Sequence, residues 1–267
     1  SSPSSMNTES IITSLVDKGA ILKYVVATIV QMSLFGGICK GLDIITAKTE
    51  LALPFPLVAF LFYAVSLKSR VLNPLENTRP KRPTSTTEAP MQGDSRIMPS
   101  FTPPGIVFPI MWLLIIGPIR AFAGATVYEA VGREFFHPAI LSFLLHLSFG
   151  DVWNTINNVE QRYGTSVSAL LLGVVPSVCF AAVQYYSVAP LAGVLLGATL
   201  GWFAVASALI VQTWRINPKV LVSKDSSKTA LDTLYPNKGE GLSKTSFLWP
   251  LPFFQVIYAL YNINNNK

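Results

Sequence analysis

The chain has 267 residues, of which 51% are hydrophobic and only 13% are charged, whereas an ordinary soluble domain carries about 25% charged residues. This composition excludes a typical water-soluble domain and predicts a chain embedded in lipid. The net charge of +6 could indicate a nucleic-acid partner. Basic residues are not interleaved with aromatic ones on a polar surface, however, so we expect no nucleic-acid binding. Cys39 and Cys179 lie far apart in apolar stretches and predict neither a disulfide framework nor a metal site.

Six apolar segments are each long enough, or nearly so, to cross a hydrocarbon core about 30 Å thick. They cover residues 20–42, 51–67, 103–128, 137–158, 165–186 and 189–214, and we predict six spanning helices. The joint 68–102 is rich in Pro, Thr and Arg and predicts an irregular surface loop. Residues 246–261 are aromatic, broken by Pro and too short to cross comfortably, which predicts an interfacial segment. A docking strip for a partner protein is the alternative there.

Basic residues divide unequally between the two faces if the helices alternate in direction. Only Lys40, Lys48 and Arg133 fall on one face, and the other lysines and arginines outside the spans fall on the opposite face. Such an excess marks the non-translocated side. We therefore expect a multi-pass protein whose basic face and termini are cytoplasmic, or face the stroma or matrix if its home is a chloroplast thylakoid or mitochondrial membrane. Residues 1–5 hold no hydrophobic signal core, which is consistent with a targeting segment removed on organelle import.

Three ionisable residues inside the predicted spans need a role, because a charge in a bilayer is costly. They are Arg120, His146 and Asp151. Counting about 1.5 Å of rise per residue, Arg120 lies about 12 Å and Asp151 about 21 Å from the face with few charges. A direct ion pair between them is therefore not expected, and Arg120 can reach towards the interface without a partner.

A polar stripe follows the fourth predicted helix, where His146, Gly150, Trp153 and Asn157 recur at spacings of four, three and four. Such a stripe must face the bundle interior or a cavity rather than lipid. It indicates either interhelical hydrogen bonds or a ligand pocket in which His146 is an axial ligand to a tetrapyrrole metal.

Gly193, Gly197 and Gly201 repeat at intervals of four in the sixth helix and allow another backbone to approach closely. They predict helix packing inside the bundle, with a dimer face as the alternative. No motif for nucleophilic catalysis, zinc, phosphate or dinucleotide binding occurs in the sequence. We therefore expect no enzyme activity, no catalytic residue and no protein-bound metal site.

Several short motifs from residue 98 onward resemble the translocator proteins, also called tryptophan-rich sensory proteins or the TspO/MBR family. Residues 99–104 are similar to the family's Pro-x-Trp-x-Pro-Pro motif. Trp112, Trp153 and Trp202 fall where the family carries tryptophans. The turn 162–164, the joint 188–192 and the closing Trp-Arg-x-Asn at 214–217 also match, and a weaker likeness covers residues 51–80.

The resemblance implies an all-α integral membrane fold with five helices over residues 51–217. An additional spanning helix within residues 1–50 precedes this bundle, and residues 218–267 form a polar tail with the interfacial segment. It also implies a cavity for a porphyrin, chlorophyll or other tetrapyrrole, a sterol or a bound lipid. The residues expected to line that cavity are Phe101, Pro104, Trp112, His146, Asp151, Trp153 and Trp202. Phe101, Gly150, Ala169 and Ile210 replace residues of the family's pattern, which removes polar anchors.

Two functions of different class follow. In the first, the protein binds a hydrophobic small molecule in its bundle. In the second, it is a structural accessory subunit of a photosynthetic or respiratory membrane complex that keeps the bundle as a scaffold. The expected partners are membrane lipids and either a second copy in a homodimer or the subunits of such a complex.

Overall fold

The structure, a computed structural model, describes residues 18–79 and 96–217. Six long helices account for most of these residues, and the described part of the chain contains no strand. The helices are α1 (Lys18–Thr49), α2 (Phe55–Lys68), α3 (Val107–Ala130), α4 (Pro138–Val159), α5 (Tyr163–Val188) and α6 (Pro190–Ile216).

Each of the six is long and apolar enough to span a membrane, with α2 continued by a 3-10 turn at Ser69–Leu72. The predicted all-α membrane fold with six spans is therefore confirmed. Helix α1 extends beyond its predicted end at residue 42, because Asp43 stays in the helix and accepts hydrogen bonds from the backbone of a neighbouring loop. Residues 80–95, the polar tail and the predicted interfacial segment 246–261 lie outside the described residues.

Helix α4 is the centre of the bundle and is buried over most of its length. It contacts α5, which packs on α6, and α6 in turn packs on the second half of α3; α2 packs on α3. Proline begins both α4 and α6, where its missing N–H costs no hydrogen bond and its fixed φ suits the first turn. The sequence therefore sets these two helix starts directly.

The additional helix α1 packs against α4 through a continuous buried stripe. Tyr24, Thr28, Gln31, Phe35 and Cys39 form this stripe at spacings of three or four residues, which keeps them on one side of a helix. Most of the remaining surface of α1 is apolar and exposed, as at Leu22 and Ile45. Helix α1 is therefore a packed part of the bundle with one face left for lipid.

Three helices contain a π-helical turn, in which the hydrogen bond spans five residues instead of four. These turns lie at Met111–Ile116 in α3, Thr155–Val159 in α4 and Leu170–Val174 in α5. Such turns are rare and occur frequently at functional sites. The first contains Trp112. The third contains Val174, whose carbonyl accepts a hydrogen bond from the buried Ser177 of α5.

Candidate functional site

The centre of the bundle holds a buried arginine enclosed by aromatic rings. Arg120, in the second half of α3, is 3% exposed. Its guanidinium carbon lies 5.2 Å from the ring centre of Trp112, 5.8 Å from that of Phe143 and 5.9 Å from that of Phe203. A cation over an aromatic face is attracted by the ring's quadrupole, more strongly when water is excluded. Residues from α3, α4 and α6 thus build one cationic cage.

Arg120 is hydrogen-bonded to a histidine rather than to a carboxylate. Its Nη2 lies 2.7 Å from Nε2 of His146, and Nδ1 of His146 lies 3.0 Å from Oγ of Ser177. Ser177 Oγ also donates to the carbonyl of Val174 at 2.7 Å. One neutral tautomer satisfies every contact: His146 donates from Nδ1 to Ser177 and accepts at Nε2 from Arg120.

Both ring nitrogens of His146 are therefore engaged inside the protein. Axial ligation of a metal, considered above for His146, would require the loss of its bond to Arg120 or to Ser177. The contact between Ser177 and His146 has the appearance of a nucleophile beside its general base. The second ring nitrogen of His146, however, accepts a hydrogen bond from the cationic Arg120. In the usual arrangement a carboxylate occupies that position.

Arg120 forms no ion pair with Asp151 within the described part of the chain, in agreement with the depth calculation. The expectation that Arg120 reaches towards the interface was wrong, because its guanidinium turns inward to His146. Its Nε is buried and has no hydrogen-bond partner. The buried guanidinium of Arg120 is thus hydrogen-bonded to the neutral imidazole of His146, and its Nε–H donor is unused.

Open space lies beside this cluster, one helical turn from His146. A Cβ built on Gly150 meets no heavy atom of the described residues within 4 Å, although the flanking Phe149 and Asp151 are buried. Gly150 itself is partly exposed and lies one turn from the buried His146 on the same side of α4, so the gap continues the face that carries the cage. Trp153, three residues further on, is partly buried, and its indole N–H is buried without a hydrogen-bond partner. The predicted stripe of α4 thus runs from the cage into an opening.

Aromatic rings join the first half of α3 to the middle of α6 at the cage. Phe108 and Trp202 meet edge to face at 5.7 Å between ring centres, and Trp112 and Phe203 do so at 6.4 Å. Trp112 therefore contacts both Arg120 and another ring of the cage, Phe203 of α6. Trp112, His146 and Trp202, all predicted for the pocket, belong to this connected region.

Asp151 points to a different neighbour. One carboxylate oxygen accepts from Nε2 of Gln31 at 2.7 Å, and Gln31 also donates to the carbonyl of Ser69 at 3.0 Å and accepts from Asn73 at 2.7 Å. This second buried cluster joins α1, the 3-10 turn and α4. The structure thus places Asp151 at the contact with the additional helix, and its predicted role as a ligand contact has no support from this geometry.

The remaining predicted residues are placed as follows. Phe101 is 54% exposed, and Pro104 is exposed as well, so the described residues enclose neither side chain. A Cβ on Gly193 would overlap the backbone of Tyr186 in α5, whereas one on Gly197 would reach only ordinary contact, with Ala182, and one on Gly201 would meet nothing. Of the glycine repeat, Gly193 is required for packing inside the bundle.

Sequence reasoning missed Ser177, Phe143, Phe203 and Gln31. Gln31 carried a usable signal, because it is the one amide in the middle of the apolar segment 20–42 and a buried amide needs a partner. Phe143 and Phe203 carried none, since nothing distinguishes them from other apolar residues of their helices.

Comparison with protein families gives a match. A family model described as the TspO/MBR family matches residues 83–215, which include all of α3, α4 and α5 and nearly all of α6. No curated protein and no solved structure matches the chain. The weaker likeness at residues 51–80 lies outside the matched residues and stays a prediction.

Proposed function

The chain belongs to the TspO/MBR family, and we propose that its bundle binds a flat hydrophobic molecule bearing an acidic group, without catalysing a reaction. Among the ligand classes that the family resemblance implies, tetrapyrroles with carboxylate side chains combine both properties. Sterols and neutral lipids lack the acidic group. The site is the Arg120 cage together with the opening at Gly150.

The observation that carries this proposal is the guanidinium of Arg120, buried beside a neutral imidazole. Removing an ion from water costs several kcal/mol even after relaxation. The aromatic rings and the bond to His146 offset part of that cost, because a cation–π contact contributes about 0.5–2 kcal/mol. A carboxylate bound near the free Nε would offset the rest through a charge-assisted hydrogen bond.

The surroundings suit the hydrophobic body of such a ligand. The opening at Gly150 supplies room next to the cage, and Trp153 offers an aromatic face and an unpartnered N–H. Pockets for small molecules are mostly apolar, with a few placed polar groups that fix orientation. Aromatic rings favour offset or edge contacts with another flat ring system. An acid anchored at Arg120 with its ring system beside Trp153 meets both requirements.

A structural role in a larger membrane complex is the second candidate. It is favoured by the internal engagement of His146 and Asp151, since hydrogen bonds that are already satisfied need no ligand. This function predicts co-migration with a large complex after gentle solubilisation and no affinity for porphyrins.

The test compares two arginine variants with the wild-type protein in detergent, using protoporphyrin IX as the probe and tryptophan quenching as the readout. Arg120→Gln removes the buried charge. Arg133→Gln removes an exposed one, paired with Glu129 on the surface, and is the matched control. We expect Arg120→Gln to lower affinity about tenfold or more, because hydrogen bonds to charged groups contribute about 1.5–3 kcal/mol, and Arg133→Gln to leave it unchanged. Equal affinity of the wild type and Arg120→Gln, or no binding by the wild type, would overturn the proposal.

A further inference from the structure

Arginines from three separate segments meet the last turn of α4, at the end of the bundle where the sequence predicts the basic face. Arg70 lies in the 3-10 turn that continues α2, Arg79 follows that turn, and Arg96 lies in the segment before α3. Nη2 of Arg70 lies 3.5 Å from Oγ1 of Thr155, and Nη2 of Arg79 lies 3.4 Å from Oδ1 of Asn154. Two consecutive residues of α4 thus each contact one guanidinium.

Neither Arg70 nor Arg79 pairs with a carboxylate in the part of the chain that the structure describes. The charges that act on Arg70 are those of Asp151, whose carboxylate accepts from Gln31, and of Arg79 itself. The carboxylate of Glu76, the nearest acid along the chain, accepts from the backbone N–H groups of the two residues that follow it. Because like charges repel each other, more strongly where water is partly excluded, two guanidiniums in this arrangement favour an anion between them.

A network of amide side chains gives this region a further donor. Arg96 donates from Nη1 to Oδ1 of Asn158 at 3.2 Å and from Nη2 to the carbonyl of Asn157 at 2.8 Å. Nδ2 of Asn158 in turn donates to Oδ1 of Asn154 at 2.6 Å. Oδ1 of Asn154 is thereby fixed as the acceptor, and its Nδ2 has no acceptor among the described residues. Asn154 therefore presents an amide donor beside Arg79.

The depth of these residues and their apolar neighbours indicate which anion fits. The span Phe55–Leu72 ends two residues after Arg70, which places this arginine where the hydrocarbon meets the headgroups. Val71, directly after Arg70, is 77% exposed, and Ile97, directly after Arg96, is 57% exposed. A guanidinium binds phosphate with two parallel hydrogen bonds. A phospholipid supplies a phosphate at the level of the arginines together with hydrocarbon for the apolar side chains, whereas a free anion supplies the charge alone.

We propose that the end of α4 binds the phosphate of an anionic membrane phospholipid between Arg70 and Arg79. Asn154 donates a further hydrogen bond to this phosphate from its Nδ2. Arg96 is a positioning residue, because it holds Asn158 and through it the amide of Asn154. The lipid thereby holds the segment that follows α2 against α4. This site lies two turns along α4 from His146 and is separate from the Arg120 cage.

The test uses the full-length protein in mild detergent and native mass spectrometry with phosphatidylglycerol or phosphatidylcholine of identical acyl chains. We expect the wild type to prefer phosphatidylglycerol about tenfold or more, since each arginine near an anionic headgroup contributes about fivefold. Arg79→Gln and Arg70→Gln should each lower the preference about fivefold, and the double variant should abolish it. Inorganic phosphate, added at the concentration of the lipid, should not displace the lipid.

The matched control is Arg215→Gln, which removes an exposed arginine in the last turn of α6 at the same end of the bundle and should retain the preference. Arg79 is exposed, so Arg79→Gln should unfold at the wild-type temperature even if Arg70→Gln does not.

Equal affinity of the wild type for both lipids, a preference unchanged in Arg79→Gln or lost equally in Arg215→Gln, or displacement of the lipid by inorganic phosphate would overturn the proposal. So would a loss of protoporphyrin IX affinity in Arg79→Gln as large as in Arg120→Gln, because these arginines would then serve the ligand of the cage.

Discussion

Two buried polar clusters lie on α4, five residues apart, and they differ in charge and in completeness. The cluster at His146 contains the cation of Arg120, neutral partners, a free donor and open space at the next turn. The cluster at Asp151 contains an anion that accepts from Gln31 and lies within electrostatic range of Arg70 and, without an ion pair, of Arg120. Because five residues turn a helix by about 140°, the two clusters face different neighbours. The cluster at His146 is suited to bind a ligand, and the cluster at Asp151 holds α1 against α4.

This comparison predicts that damage to one cluster leaves the function of the other intact. Gln31→Leu should have the largest effect, about 3 kcal/mol of unfolding free energy, because it removes the amide donor to the buried Asp151 and the acceptor of the Asn73 side-chain amide. Thermal or detergent-induced unfolding measures it. Thr28→Val is the control, since the Thr28 hydroxyl donates to the carbonyl of Tyr24 in its own helix. If Gln31→Leu abolished porphyrin binding in a protein that was still folded, the two clusters would not be separable.

A bulky side chain at position 150 tests the cluster at His146 without touching the cluster at Asp151. Gly150→Leu should lower porphyrin affinity about tenfold, since a side chain there occupies the space that a ligand requires. Folding should be retained, because no described atom lies in its way. Gly201→Leu places the same side chain on an exposed part of α6 and should bind as the wild type does. Calorimetric titration distinguishes them, and equal affinities would place the ligand elsewhere.

Trp153→Ala should have a smaller effect, about fivefold on porphyrin affinity, because one aromatic contact contributes about 0.5–1.5 kcal/mol beyond buried area. Fluorescence titration through the remaining tryptophans measures it. Trp214→Ala is the matched control, as its indole N–H is likewise buried without a partner but lies at the end of α6. Unchanged affinity in Trp153→Ala would favour the structural role.

The smallest predicted effect concerns pH and lies outside both clusters. His137 caps α4, where its Nδ1 accepts from the backbone N–H of Ala139 at 3.2 Å. Burial lowers the pKa of His137, with Glu134 acting in the opposite direction. Because the pKa of His137 in the folded protein lies below the unfolded value of about 6.5, the stabilisation is complete above that pH and is lost as pH falls from there through the folded pKa.

The expected loss between pH 7.5 and pH 5.5 is about 0.5–1 kcal/mol, typical of a helix cap. His137→Asn retains an acceptor that does not titrate, so its unfolding free energy should fall less over the same range. A parallel decline in the wild type and the variant would show that other groups cause it.

Much of the fold was predictable because hydropathy alone defines spans. All six helices lie within a few residues of the predicted segments, except where Asp43 lets α1 continue to Thr49. Helix pairing was not predictable in the same way. Gln31 and Asp151 are separated by 120 residues, and their contact depends on how α1 is rotated against α4, which no local pattern encodes.

The site shows the same division. The stripe of His146, Gly150 and Trp153 followed from helical periodicity, and the structure places it beside a cage and an opening. The sequence shows Arg120 as a charge within an apolar run. It does not show that His146 is its partner, because the depth of a residue along a helix does not tell how the helix is rotated about its axis. Phe143 and Phe203 acquire their role only through the positions of three helices around one guanidinium.

The most direct test of the central claim, that Arg120 holds the acidic group of a ligand, varies the ligand and leaves the protein unchanged. Protoporphyrin IX and its dimethyl ester share one ring system and differ in their carboxylates. Measured by calorimetric titration into the wild-type protein, the free acid should bind about tenfold more tightly than the ester, as a charge-assisted hydrogen bond requires. Equal affinities for the acid and the ester would contradict the account, because the buried guanidinium would then contribute nothing to binding.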